Sequence, residues 1–95
     1  MTTLSLILVL RETRSLLARP DNDFAWSSWN DQSAALREIE EAIALCEQGK
    51  PPYLPVLYAP TGPIQEVSLS SGWGQEFLAI AEQFDLAWAK YSQGQ

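Results

Sequence analysis

Two hydroxyls, Ser70 and Ser71, run directly into Gly72-Trp73-Gly74. A small-residue turn that opens a helix leaves backbone amides unpaired, and such amides with flanking hydroxyls can hold an anion. The run is not a Walker-type loop, because it lacks the lysine, and its glycine spacing does not match a dinucleotide fingerprint. The chain has no histidine, so neither serine can be activated by an imidazole. A Ser–Lys arrangement would need Lys50 or Lys90, and neither is close in sequence. Glu66, a few residues earlier, is the carboxylate to watch. On a covered face its pKa would rise and it could serve as an acid or base; on an open face it is only solvated. The simpler reading of the turn is structural: Ser71 caps the helix that follows and Gly72 lets the chain bend.

Aromatic side chains gather at the same kind of junction. Phe24, Trp26 and Trp29 precede one predicted helix and Trp73 precedes another, with serines beside them in Ser27-Ser28-Trp29 and Ser70-Ser71-Gly72-Trp73. Tryptophan combines a large apolar area with a polar handle, which suits a recognition surface. If both helix starts lie at one end, they form an aromatic, hydroxyl-rimmed patch; otherwise the rings plug the ends of a small core.

Other chemistry is thin. Asp21, Asn22 and Asp23 lack the glycine and terminal glutamate of a calcium loop. One cysteine and no histidine leave no tetrahedral zinc site, so neither metal nor cofactor is predicted. Cys46 falls in an apolar helical stripe and reads as buried filler. Arg11 and Arg14 are expected to pair with acids of this chain.

Those acids dominate the charge. The 95 residues carry a net charge of −6. Residues 1–19 hold Arg11, Arg14 and Arg19 against Glu12, whereas residues 20–48 hold seven acids against Arg37. With no basic cluster the chain lacks the footprint of a phosphate-backbone binder, and no nucleic-acid partner is expected. Leu4–Leu10 is too short for a membrane span and lacks the basic start and cleavage site of a signal peptide, so a cytoplasmic, membrane-free protein is expected.

The elements that must position these residues come from hydrophobic period and punctuation. Residues 3–18 predict a helix, with Leu6, Val9, Leu10, Thr13, Leu16 and Leu17 on one face. Leu4, Ile7 and Leu8 lie off that stripe, so its start is apolar nearly all round. Pro20 ends it. Ser28 and Asp31 look like the capping start of a second helix over about 29–48, closed by Gly49 and Pro51-Pro52. Tyr53–Tyr58 and Ile64–Leu69 read as strands joined by the Ala59–Pro63 loop. A last helix runs from about Gly74 to Tyr91, with 92–95 as a frayed tail.

The expected fold is therefore a single α+β domain in the order α-α-β-β-α, with an antiparallel β-hairpin packed against amphipathic helices. The over-apolar first helix and the exposed strands favour a homodimer. The leading functional expectation is a non-catalytic protein-interaction module for a protein partner. It would bury Trp26, Trp29 or Trp73 in that partner while its acidic residues steer a basic surface. The alternative is a small-ligand or anion-binding protein, or a minor enzyme, that uses Ser70, Ser71, Gly72, Trp73 and Gly74 with Glu66. No motif is specific enough to name a family.

Overall fold

The structure, a computed structural model, describes residues 3–60 and 62–93. Every regular element among them is helical: α1 (Leu4–Leu17), α2 (Gln32–Glu47), the single turn α3 (Pro55–Tyr58), α4 (Pro63–Ser71) and α5 (Gly74–Gln93). The α+β expectation is overturned, since Pro55–Tyr58 of the first predicted strand and all of the second are helical and no strand occurs among the described residues. Thr61, in the expected hairpin loop, and Gly94 and Gln95, in the expected tail, lie outside the described residues; Ser92 and Gln93 continue α5.

The physical reason for the correction is visible in what each short run buries. In Tyr53–Tyr58 the buried residues are Leu54, Leu57 and Tyr58, three and four apart, while Tyr53 and Val56 are exposed. That is a helical period, and Pro55 stands at the first helical position, where a missing N–H costs nothing. In the second run Ile64, Val67 and Ser68 are buried and Leu69 is exposed, so the Val67/Leu69 alternation is not the pattern the fold uses. Ser68 hides its hydroxyl by donating to Gln65 O at 2.8 Å. Gly62 makes this compact arrangement possible: a Cβ there would lie 2.9 Å from both Ala59 O and Val56 O.

The two long N-terminal helices are closer to expectation, with shifted ends. α2 starts at Gln32, not at Ser28–Trp29, because extended Asp31 is its N-cap and accepts from Ala34 N–H at 2.9 Å. The last carbonyls of α1 are closed by side chains of the connector and of α2. Asn22 Nδ2 donates to Leu16 O (2.8 Å) and Leu17 O (3.0 Å), and Gln32 Nε2 donates to Leu17 O (2.9 Å) and Arg19 O (3.0 Å).

α5 is the spine, packed against α1, α3 and α4, and α1 lies between α2 and α5. Phe77, Ile80, Phe84 and Ala87 form its buried stripe. They meet Leu6, Leu10, Leu17, Leu54, Ile64 and Val67 in one core, each large apolar side chain contributing about 1.5–3 kcal/mol on burial. The Tyr58 ring stacks on Phe84 with centroids 4.2 Å apart. Its hydroxyl lies 2.6 Å from Thr13 Oγ1, which itself donates to Val9 O at 2.8 Å. Thr13 has one proton and the Val9 carbonyl takes it, so Tyr58 is the donor of the pair. α1 is tied to α2 by Arg14–Glu40 (2.6 Å) and Arg11–Glu47 (3.5 Å), exposed pairs worth at most about 1 kcal/mol each.

Candidate functional site

The Ser70–Gly74 segment is a corner between two helices, not a strand-to-helix turn. Ser70 and Ser71 close α4, Gly72 takes the left-handed conformation (φ 86°) of a helix terminus, and Gly74 opens α5. The amides of Gly72 and Trp73 both donate to Ser68 O, the latter at 2.9 Å. Ser71 Oγ accepts from Asp23 N–H at 2.8 Å and Glu66 accepts from Ser28 N–H at 3.2 Å. Trp73 Nε1 donates to Asn22 Oδ1 at 2.8 Å. Glu66, Ser71 and Trp73 thus act together on the 18–31 connector, holding it against α4 and the corner. Gly72 and Gly74 alone of the group line an open groove of about 350 Å³ on α4 and α5, whose walls include Leu69 and Leu78.

The tryptophans separate by exposure: Trp26 is 78% exposed, whereas Trp29 and Trp73 are 6% and 2% exposed. The indole of Trp29 donates from Nε1 to Glu38 Oε1 at 2.9 Å. Two helix starts do not assemble into one aromatic patch, because two of the rings belong to the interior. Trp26 stands in the connector with its ring in solvent.

A feature outside the sequence-derived residues lies on the other side of Glu38. Between α2 and the segment leading through α3, a groove of about 210 Å³ has a floor of Ala42, Leu54 and Leu57. Leu45, Tyr53 and Val56 stand exposed along it, and Glu38 and Glu41 form its rim. Tyr53 is braced edge-on by Trp88, with ring centroids 5.8 Å apart. The electrostatics follow from pairing. Glu40 and Glu47 of the same helix are neutralised by arginines of α1, whereas Glu41 has no ion pair among the described residues and no Lys or Arg lines the groove. Arg37, four residues before Glu41, does not pair with it. The signal that could have found this groove was the helical spacing of Leu54, Leu57 and Tyr58, which puts Tyr53 and Val56 on the outward face.

Neither titratable group with a displaced pKa is placed for catalysis. Burial, assisted by the nearby Glu47 charge, pushes the Cys46 thiol up, so it stays protonated and inert inside the α2 stripe. Burial likewise raises Tyr58. No group of three or more His, Cys, Asp or Glu side chains able to hold a metal occurs among the described residues. Nor is any helix among them long and apolar enough to cross a membrane. Comparisons with protein-family models, with curated proteins and with solved structures found no match.

Proposed function

We propose that this protein is a non-catalytic, cytoplasmic interaction module that receives a basic, apolar segment of a partner protein in the groove between α2 and α3. The observation that carries the reading is the conjunction of Leu45, Tyr53 and Val56, exposed along one groove, with the carboxylates of Glu38 and Glu41, neither in an ion pair among the described residues, on the rim. Exposed apolar area supplies the driving force for docking, and the unpaired negative rim selects a cationic segment and speeds its approach. A lysine or arginine can lay its methylenes along Val56 and Leu45 while its charged end reaches Glu41. Trp29, hydrogen-bonded to Glu38, orients one rim carboxylate from below. The cytoplasmic assignment rests on the single, buried cysteine, which gives the chain no disulfide to form within itself.

The test is comparative capture from native cell lysate, with partners identified by mass spectrometry. The wild-type chain is expected to retain a protein that Glu41→Lys and Val56→Asp each lose, and crosslinks from the groove are expected to land on a basic stretch of it. Recovery of the same proteins by wild type and both variants, or of the chain alone, contradicts the proposal.

A further inference from the structure

Tyr53 brings more to the α2–α3 groove than apolar area. Its ring is 70% exposed, yet it is held in place: the Trp88 ring meets it at 90°, with centroids 5.8 Å apart. Trp88 in turn packs against Phe84 (5.9 Å) and Tyr91 (5.4 Å) on its own helix. An edge-on contact covers at most one face of the tyrosine, and no other ring contacts it among the described residues. At least one of its two faces therefore stands open on a braced ring.

The face of an aromatic ring is the negative part of its quadrupole, and a cation within about 6 Å of the centroid is attracted to it. No Lys or Arg lines the groove, so this chain supplies no such cation there. Even Lys50, three residues before Tyr53, is not among its walls. Glu41 lines the same groove, and its carboxylate has no ion pair among the described residues. The groove encloses only about 210 Å³, so a group seated in it has both the ring and the carboxylate within reach.

Ring and carboxylate ask different things of a cation. A guanidinium is flat: its plane can lie on the ring while its N–H groups, which project within that plane, pair with a carboxylate. An ammonium is a compact, strongly hydrated point charge, and what it gains at the carboxylate it gives up at the ring.

We propose that Tyr53 makes this groove selective for arginine over lysine, the guanidinium stacking on the Tyr53 ring with its edge turned to Glu41. The proposal rests on the reading of the groove as the site of a basic, apolar partner segment, and it adds which cation that segment carries.

Two leucine-rich amphipathic peptides, identical except for arginine or lysine at every cationic position, test this when titrated into the full chain and followed by amide chemical shifts. The arginine peptide is expected to bind about two- to fivefold more tightly than the lysine peptide. Tyr53→Phe keeps the aromatic face and should preserve that ratio. Tyr53→Leu keeps an apolar side chain without the face, and should bring the ratio close to one while the lysine peptide still binds. Circular dichroism checks that both variants, at this exposed position, remain helical. Equal affinity of the wild type for the two peptides overturns the inference and leaves the reading of the groove standing. A preference for arginine that survives Tyr53→Leu overturns it as well. If neither peptide shifts the groove residues, the reading of the groove fails and the inference falls with it.

Discussion

Trp73 and Asn22 are joined across 51 positions of sequence by a 2.8 Å hydrogen bond from the indole Nε1 to the amide Oδ1. The same Asn22 side chain donates from Nδ2 to Leu16 O and Leu17 O. One amide thus ties the C-terminal end of α1 to the corner where α4 turns into α5. Asn22→Ala strands a buried indole donor and leaves two helix carbonyls without this partner. It is expected to lower stability by about 1–3 kcal/mol, read as a lower urea midpoint with an unchanged slope. Asn22→Asp keeps the acceptor for Trp73 but sets a carboxylate oxygen against the Leu16 and Leu17 carbonyls at the negative end of α1, so it too should lower the midpoint below that of wild type.

Thr13 and Tyr58 give a directional prediction. Since Tyr58 donates and the Thr13 proton is satisfied by Val9 O, Tyr58→Phe removes a donor together with its hydrogen bond. Thr13→Val leaves the phenol proton buried with no acceptor. Tyr58→Phe should therefore cost about 1 kcal/mol and Thr13→Val about 1–3 kcal/mol, measured by chemical denaturation. Equal losses would contradict the assigned direction.

The same phenol makes the fold sensitive to alkali. Burial raises Tyr58 above the ordinary tyrosine value of 10.0. Below that value the phenol is protonated in both states and its contribution is fully present. As pH rises beyond it, the unfolded chain sheds the proton while the folded chain retains it, so stability falls towards the folded pKa. The stability difference between wild type and Tyr58→Phe should narrow or reverse in strongly alkaline buffer. A difference constant with pH would show that Tyr58 ionises as freely folded as unfolded.

Two glycines are required for different reasons, and alanine separates them. Gly72 has positive φ and open space around its Cβ position, so Gly72→Ala costs only the left-handed backbone, about 1–2 kcal/mol. Asparagine there should cost less. At Gly62 a methyl group would press against two backbone carbonyl oxygens. Gly62→Ala should lower the thermal midpoint more than Gly72→Ala does.

How much of this was legible in the sequence depends on element length. The stripes of α1 and α5, and that of α2 apart from its start, run over enough turns for the helical period to be unambiguous, and the closures at Pro20 and Gly49 follow from backbone chemistry. The pieces between them are short. Tyr53–Tyr58, with its one proline, and Ile64–Leu69 are each short enough, with β-branched Val56, Ile64 and Val67, to fit both periods, and Ser68 supplied no hydrophobic mark on the buried face of α4. Burial of Trp29 and Trp73 could not be read locally. It depends on Glu38 and Asn22, the latter 51 residues from its tryptophan. The acidic bias of residues 20–48 was plain, but not its division into glutamates matched by α1 arginines and glutamates left on the groove.

That division is the centre of the functional account, and amide chemical-shift mapping with an amphipathic lysine–leucine peptide tests it most directly. The account predicts saturable shifts centred on Glu38–Leu45 and Tyr53–Leu57, abolished by Glu41→Lys together with Val56→Asp while the helical spectrum is kept. Saturable shifts centred elsewhere, unchanged by those substitutions, or no saturable shift at all, would contradict it.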